Sequence, residues 1–393
     1  MEQPISGSAG RLSRNVVVAG LVSLFTDISS EMLVPVLPLF LSMVLGTPAT
    51  AIGLIEGTAE AMASLAKAFS GYLSDRAGRR KPLMVLGYGL SNIIKPLMGF
   101  AGSWGQILAL RVSDRFGKGL RGAPRDALIA ESSPPSIRGK AFGLHRAMDT
   151  VGAAVGPLAA WLILQAWPGK YRAVFWWSLL PGAVSVVLLL FFLRDTRPEN
   201  LTTGPALRNW SISLGQLPPR LRRFVLIGTL FALGNSSDAF LILKAQNMGL
   251  AAVLVPVAYF AFNASYALLS YPLGVISDRI GRKPLLITGF TAFALIYAGF
   301  ALADAAWMAW PLFIAYGLYY AATEGSQKTH ITDHAPADIR GTAIGVFNAL
   351  TGIAALPASL VAGLLWDRFS PAAPFLVGTV TATLSAILLA LWE

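Results

Sequence analysis

The chain has 393 residues, of which 55% are hydrophobic and only 13% are charged. This composition excludes an ordinary soluble globular protein. The formal net charge is +11, and the absence of cysteine excludes disulfides and thiol chemistry.

Long apolar runs recur along the whole chain, such as VVVAGLVSLF at 16–25 and LVGTVTATLSAILLALW at 376–392. A helix needs about 20 apolar residues to cross about 30 Å of hydrocarbon. The N-terminal MEQPISGSAGRLSRN lacks the apolar core and cleavage site of a signal peptide, so the first run is expected to stay as a membrane helix. The sequence predicts an all-α membrane protein with twelve transmembrane helices. These are expected at 16–44, 50–73, 83–102, 104–130, 141–166, 172–193, 223–247, 250–276, 284–303, 306–330, 341–365 and 370–391.

Basic residues outside the spans alternate between the two sides of the membrane. Most lie in the N-terminal segment, in the loops around Arg76 and Arg279, and in the central segment. The positive-inside rule then predicts a multi-pass protein of the cytoplasmic (inner) membrane with both termini in the cytoplasm. Membrane orientation and contact with anionic membrane lipid therefore explain most of the positive charge, and no nucleic-acid partner is expected.

The two halves of the chain repeat each other. GYLSDRAGRRKPL at 71–83 returns as GVISDRIGRKPL at 274–285, and SPPSIRGKAFG at 133–143 returns as APADIRGTAIG at 335–345. Repeats of this kind are typical of transporters whose substrate path lies between the halves. We therefore expect two pseudo-symmetric six-helix bundles, residues 1–193 and 223–393, joined by a cytoplasmic linker at 194–222.

The stretch from Gly71 to Arg80, with its echo from Gly274 to Lys283, resembles the signature loop of the major facilitator superfamily, and the resemblance covers essentially the whole chain. It implies the major facilitator fold and a twelve-helix secondary transporter that acts as a monomer, is not an enzyme and needs no cofactor. In that family these loops help to latch the outward-open state. The residues expected to take part in gating are Asp75, Arg76, Arg79, Arg125, Glu131, Asp278 and Arg279.

The stretch GAAVGPLAA, which begins at Gly152, resembles the glycine–proline motif of exporters in the same family. The motif is incomplete, because Ala160 and Trp161 stand where two glycines are expected. It favours export over import. A close-packed seam of small residues is the alternative reading.

Charge inside the spans is concentrated in the first half, above all in RVSDRFGKGLRGAPRD at 111–126. At about 100° per residue, most of its cations fall on one helix face. Cations near the cytoplasmic end are expected to pair with acids, whereas midplane cations would suit the carboxylate, phosphate or sulfonate of a substrate. Mutual ion pairs and ordinary helix packing are the alternatives. The predicted substrate-binding residues are Arg111, Arg115, Lys118, Lys95, Tyr266, Tyr316 and Asn263.

Acidic residues in the spans are candidates for proton coupling. Asp27 and Glu31 are four apart and share a helix face, and Asp149 is a third candidate. A carboxylate whose surroundings change during alternating access can take up and release a proton. Asp27, Glu31, Glu56 and Glu60 could instead bind a divalent cation. The surrounding arginines argue against that, so no metal site is predicted.

The sequence thus predicts a secondary active transporter that moves a small anionic or zwitterionic organic solute across the cytoplasmic membrane by alternating access. Proton-coupled export is expected, with the solute, protons and membrane lipid as partners. A broad-specificity drug/proton antiporter is the main alternative, and a divalent-metal transporter is a weaker one. No GxxxxGK[ST] loop occurs, so ATP-driven pumping is not expected.

Overall fold

The computed structural model describes residues 12–77, 79–195, 214–336 and 339–392. Their regular secondary structure is helical throughout. Most of the predicted linker, residues 196–213, lies outside the described residues. The helices form twelve membrane-crossing units, α1–α12, several of which are interrupted.

The first bundle, α1–α6, occupies the N-terminal half of the chain. Its units are α1 (Arg14–Glu31, continued by Leu37–Leu39 and the π-helical Phe40–Val44), α2 (Ala49–Ala77), α3 (Lys81–Leu97), α4 (Trp104–Glu131), α5 (Arg138–Ala166) and α6 (Tyr171–Trp177 with Leu179–Phe191).

The second bundle, α7–α12, follows the linker. Its units are α7 (Pro219–Gly234 with Ala239–Asn247), α8 (Val255–Ile280), α9 (Arg282–Leu302), α10 (Ala309–His334), α11 (Arg340–Arg368) and α12 (Ala373–Trp392). Short 3₁₀ turns lie at Met98–Phe100, Pro135–Ile137, Leu214–Gln216, Ala252–Leu254 and Ala306–Met308.

Three predicted spans are not continuous helices, and the one predicted at 172–193 is interrupted only at Ser178. The span predicted at 16–44 leaves the helix after Glu31, and the one predicted at 223–247 is broken between Gly234 and Ala239. Pro35 lies in the first break and lacks the N–H that would continue the helix. In the break after Gly234, the N–H of Ala239, the first residue of the new helix, donates a hydrogen bond to Ser237 Oγ at 3.3 Å. This span also begins earlier than predicted, at Pro219, inside the predicted linker.

Eight of the described helical units are long and apolar enough to cross a membrane by length and composition. The other four, α1, α2, α4 and α10, carry more polar sequence. They include the helices that hold Glu31, Glu60 and Arg115. Much of the charge inside the bundles therefore lies on the helices that least resemble membrane spans, although α3 and α5 also carry charged residues.

The two bundles differ in the chemistry of their cores. The second bundle is built on stacked aromatic rings, with centroid separations of 4.2 Å between Phe231 and Phe290 and 3.9 Å between Phe293 and Tyr297. The first bundle contains most of the buried charge, including Lys95 and Arg111. Charged side chains inside a membrane normally line a substrate or ion pathway or form ion pairs. A functional site is therefore expected in the first bundle.

The bundles meet along two helix pairs, α2 with α11 and α5 with α8. Glycines allow α2 and α11 to touch through their backbones. A Cβ at Gly53 would lie 2.0 Å from the carbonyl oxygen of Ser359, and one at Gly363 would lie 2.4 Å from that of Ala49. Small residues permit this approach in membrane helices, so α2 and α11 form a tight seam between the bundles.

We call the end of the molecule that carries the two repeated loops the signature end, and the other the opposite end. At the opposite end, Asp367 of α11 accepts hydrogen bonds from the N–H groups of Ala49 and Thr50 at 3.0 and 2.8 Å. In the middle, the side chains of Glu60 and Lys118 are exposed although both lie far from their helix ends. The bundles therefore join at the opposite end, and from these exposed charges we infer a water-accessible central cavity.

Candidate functional site

The cations of α4 divide into paired and unpaired groups, and Arg111 is the most completely paired. Its Nε and Nη2 donate to the two carboxylate oxygens of Glu56, each at 3.0 Å, and Nη1 lies 3.5 Å from Asp114 Oδ2. Arg111 is only 4% exposed. Asp114 also accepts a hydrogen bond from Ser91 Oγ at 2.5 Å. In this conformation the guanidinium of Arg111 is occupied by protein carboxylates.

The two α4 arginines nearer the signature end are also paired. Arg121 Nη2 lies 3.7 Å from Asp27 Oδ1, and its guanidinium is 4.4 Å from the centre of the Tyr88 ring, a cation–π distance. Arg125 Nη2 lies 2.9 Å from Asp126 Oδ1. The contact of Arg121 with Asp27 joins α4 to α1, whereas the partner of Arg125 is the next residue of the same helix.

Arg115 and Lys118 differ from the other three cations. Within the described residues, neither makes a hydrogen bond or a direct ion pair. Glu31 of α1 and Glu60 of α2 likewise have no direct hydrogen-bonding or ion-pair partner in the described ranges. The four side chains still interact electrostatically over longer distances. Lys118 and Arg115 attract the carboxylate of Glu31, and Glu60 attracts the ammonium group of Lys118. The central cavity therefore presents two cations and two acids whose direct contacts are available to a ligand.

Lys95, a predicted substrate residue, is 1% exposed and lies away from the open part of the cavity. Its Nζ donates to Asn92 Oδ1 at 2.8 Å and to the hydroxyls of Ser30 and Ser29 at 2.9 and 3.0 Å. These neutral oxygens tie α3 to α1, directly beside Glu31. In this conformation Lys95 anchors α1.

Asp149, a predicted proton-coupling residue, lies beside His145, which begins a short chain of buried hydrogen bonds. Its Oδ2 is 3.4 Å from His145 Nδ1, and His145 Nε2 is 2.9 Å from Ser23 Oγ. Ser23 is in turn 3.0 Å from the hydroxyl of Tyr88. The other oxygen of Asp149 is buried and has no hydrogen-bond partner among the described residues. This chain links α5, α1 and α3, a connection that the sequence alone did not indicate.

The predicted substrate residues of the second bundle lie at different places. Tyr316 is fully buried, and its hydroxyl donates to Asp238 Oδ1 at 2.8 Å. Asn263 Nδ2 donates to the carbonyl oxygen of Ala153 on α5 at 3.0 Å. Two of the three residues, Asn263 and Tyr266, therefore lie at the α5–α8 interface.

Tyr266 joins a charged cluster that crosses between the bundles. Its hydroxyl donates to Glu324 of α10 and accepts from Arg146 of α5. Arg146 Nη2 also lies 3.4 Å from Glu324 Oε2, and Lys328 Nζ lies 3.1 Å from Oε1. Arg146 and Glu324 are not among the site residues predicted from the sequence, because helix periodicity does not show which helices of different bundles meet. The cluster borders a cavity of about 660 Å³ at the signature end, between α8 and α10.

The two repeats make similar ion-pair contacts at the predicted gating loops, but through arginines other than the predicted ones. Glu131 accepts from Arg80 Nε and Nη2 at 3.1 and 2.9 Å. In the second repeat, Arg282 pairs with Asp278 and lies 3.4 Å from Asp333. The predicted Arg79 and Arg279 are exposed and make no hydrogen bond or ion pair with described residues. The side chains of the predicted Asp75 and Arg76 lie outside the described part of the structure.

The alternative metal site is not assembled. The described residues contain no group of three or more His, Cys, Asp or Glu side chains placed to hold a metal ion. Of the four acids considered, Glu56 is bound to Arg111 and Asp27 faces Arg121.

Comparison with known proteins identifies the family. The family model described as Major Facilitator Superfamily matches residues 19–357. An uncharacterized MFS-type transporter of Methanocaldococcus jannaschii is 37% identical over 384 residues, which cover 96% of this chain and 94% of the relative. The chain belongs to the major facilitator superfamily. The prediction of a multi-pass membrane transporter that is not an enzyme is thereby confirmed.

Further similarities within the superfamily concern function and fold. Multidrug resistance protein MdtG of Escherichia coli is 29% identical over 313 residues, which cover 76% of this chain and 73% of the relative. The D-xylose-proton symporter structure matches with a TM-score of 0.77 at 16% identity and covers 96% of each chain. A bacterial homolog of human Spinster, in an inward-facing and unoccupied conformation, matches with a TM-score of 0.74 at 16% identity and covers 98% of this chain and 96% of that one. These structures show the major facilitator fold of the chain.

Proposed function

We propose that this protein exports a small zwitterionic organic solute across the cytoplasmic membrane in exchange for protons. The observation that carries the proposal is the set of four charges without direct partners among the described residues, Arg115 and Lys118 on α4, Glu31 on α1 and Glu60 on α2. Elsewhere on α4 the cations are already neutralised by neighbouring acids. A ligand with one negative and one positive group matches this arrangement. Arg115 would bind a carboxylate or phosphonate bidentately, and Lys118 would add a point charge.

Transport would be coupled to protons because the cationic group of the ligand and a proton compete for Glu31 and Glu60. A cationic group of the ligand near Glu31 and Glu60 favours their ionised forms, whereas protonation removes the charge that attracts it. Ligand and proton therefore bind alternately, which is the requirement for antiport. A purely anionic ligand would neutralise Arg115 and Lys118 and favour proton uptake at the same time, which is the pattern of symport. Export is thus better supported for a zwitterion than for a simple anion.

A broad-specificity drug/proton antiporter is the second candidate. Similarity to MdtG, whose name denotes multidrug resistance, favours it. In that case Glu31 and Glu60 would bind cationic compounds, and Arg115 would serve only the architecture of α4.

Thermal unfolding of the purified protein distinguishes the two functions. The probes are norfloxacin as a zwitterion, nalidixic acid as a related anion and ethidium as a cation. A ligand at about 100 times its Kd stabilises the folded state by about 2.7 kcal/mol. We expect norfloxacin to raise the Tm of the wild type but not that of Arg115→Ala or Glu31→Gln. Lys170→Ala, which removes an exposed cation from a loop at the opposite end, is the control and should respond as the wild type does.

Other outcomes have definite meanings. Stabilisation by ethidium that depends on Glu31 but not on Arg115 would select the drug antiporter. Stabilisation by nalidixic acid and norfloxacin that survives Arg115→Ala would remove α4 from the binding site. The direction of transport is then tested in inside-out membrane vesicles. Accumulation of the stabilising probe inside these vesicles, driven by the proton gradient, signals export from cells.

A further inference from the structure

The glycine segment of α5 contacts the two α1 acids directly. A Cβ at Gly152 would lie 2.9 Å from Asp27 Cβ and 2.8 Å from the carbonyl oxygen of Leu24. A Cβ at Gly156 would lie 2.6 Å from Glu31 Cβ. Real Cβ atoms do not approach this closely, so only glycine allows α1 to lie where it does. The positions of the Asp27 and Glu31 carboxylates therefore depend on two notches in α5.

The notches occur only where α1 carries acids. Gly143, earlier on the same helix, has open space where its Cβ would be. In the second repeat, where Arg340-Gly341 corresponds to Arg138-Gly139, the positions equivalent to Gly152 and Gly156 are occupied by Ala354 and Ala358. General close packing of the repeat thus does not require glycine at these two positions.

The same segment is bound from its other side by the second bundle. Pro157 has no N–H, so it cannot donate to the carbonyl oxygen of Ala153 four residues earlier. That carbonyl instead accepts the hydrogen bond from Asn263 Nδ2 of α8 at 3.0 Å. Segment 152–157 is therefore held by α8 through Ala153 while its glycines lie against Asp27 and Glu31.

We infer that Gly152, Gly156 and Asn263 are positioning residues that make the location of the coupling acids depend on the α5–α8 interface. When α8 moves relative to α5, the hydrogen bond from Asn263 to the Ala153 carbonyl moves segment 152–157. Because Gly152 and Gly156 lie directly against α1, α1 is displaced as well. The acids thereby meet different surroundings in the two states of the transporter. This inference rests on the coupling role of Glu31 in the proposed function and on the coupling role predicted for Asp27 from the sequence, and it adds the element through which the second bundle reaches them.

The experiment uses the full chain in proteoliposomes and needs no transported ligand. The protein has no cysteine, so Ser359→Cys introduces a single buried thiol on α11, next to the backbone carbonyl that contacts α2 at the seam, with the side chain facing the N–H of Ser237. Its rate of reaction with a membrane-impermeant maleimide, measured from pH 5 to 9 and divided at each pH by the rate of a free thiol, reports opening of the seam, because the division removes the titration of the thiol itself. We expect a pH midpoint in this background that moves by about one unit, a tenfold change in proton affinity, in Gly152→Ala and Gly156→Ala. Gly143→Ala is the matched control and should keep the original midpoint.

Pro157→Ala tests the second side of the segment. The new N–H can bind the Ala153 carbonyl within the helix and compete with Asn263, so the midpoint should move in the same direction as in Asn263→Ala. Size-exclusion profiles establish that each variant is folded, and Gly152→Ala, Pro157→Ala and Asn263→Ala decide the question if Gly156→Ala does not fold.

Failure of the inference and failure of the proposed function are separable. If Asp27→Asn and Glu31→Gln keep the wild-type midpoint, these acids do not couple protons and both ideas fall. If the acid variants abolish the pH dependence while both glycine variants match Gly143→Ala, the coupling role stands and the positioning role of α5 is refuted.

Discussion

At the scale of single residues, α4 tolerates five cations because most of them have a named partner. An unpaired charge in a membrane helix is costly, and pairing or water contact lowers the cost. Arg111, Arg121 and Arg125 use the first route, through Glu56, Asp27 and Asp126. Arg115 and Lys118 use the second, since they lie on the side of the wet central cavity. Arg111 and Arg115, which carry the same charge and are four residues apart, therefore have different roles.

This difference predicts opposite consequences for two neighbouring arginines. Arg111→Ala leaves Glu56 without its bidentate partner, and breaking such a buried pair costs roughly 3–5 kcal/mol. We expect a marked fall in the Tm of Arg111→Ala in detergent. Arg115→Ala should unfold near the wild-type temperature, because no direct contact in the described structure is lost.

A paired replacement tests the explanation. Arg111→Met combined with Glu56→Gln removes both charges of the main pair, so it should recover part of the stability lost in Arg111→Ala. Equal instability of Arg115→Ala and Arg111→Ala would show that the pairing pattern does not determine the stability of α4.

At the scale of elements, α2 begins without a cap of its own. Pro48, which precedes Ala49, has no side-chain acceptor, and the hydroxyl of the nearby Thr47 is buried without a hydrogen-bond partner in the described chain. The cap comes instead from the C-terminal end of α11, where Asp367 accepts from two N–H groups and from Thr50 Oγ1 at 2.7 Å. A carboxylate at this position also complements the helix dipole. Because α2 and α11 belong to different bundles, the cap exists only while the opposite end is joined.

Loss of this cap should favour opening at the opposite end. Removing a helix N-cap costs about 1 kcal/mol, which corresponds to about a fivefold change in the ratio of joined to open states. We expect Asp367→Ala to raise the labelling rate of the single thiol in Ser359→Cys by about that factor. Asp367→Asn keeps a capping oxygen and should have a smaller effect.

Asp304→Ala is the matched control, because it removes an exposed acid from the α9–α10 connection at the same end. A labelling rate for Asp367→Ala equal to that of Asp304→Ala would show that the cap does not hold the bundles together.

At the scale of the whole molecule, the bundles are joined by few polar contacts outside the glycine seam. The cluster of Arg146, Tyr266 and Glu324 is one of them, and it lies toward the signature end of the α5–α8 interface. The second bundle is packed around aromatic rings and the first around ion pairs, so each bundle is held together by contacts of its own. Relative motion of two such rigid bundles would therefore be controlled by these interface groups.

Glu324→Gln and Tyr266→Phe should loosen the α5–α8 interface. Each removes part of the contact with Arg146, so the distance between spin labels at Phe142 of α5 and Tyr271 of α8 should become longer or more broadly distributed. Both label positions are exposed. Lys328→Ala is the control, because Lys328 contacts the same carboxylate from within α10. Unchanged distance distributions in both interface variants would remove this cluster from the control of bundle motion.

The sequence by itself determined the membrane class, the twelve spans, the internal repeat and the helices that carry charge, because these follow from local composition and from periodicity along single helices. It also identified the glycine–proline segment of α5, although not what the segment contacts. Helix periodicity assigns a residue to a face and a depth, but not to a neighbour. Only the tertiary structure decided that Arg111 is bound by Glu56 while Arg115 is not, that Lys95 anchors α1, and that Asn263 reaches the carbonyl exposed by Pro157. The physical reason is that these contacts join helices far apart in the chain, so their partners depend on how the helices and the two bundles are arranged around one another.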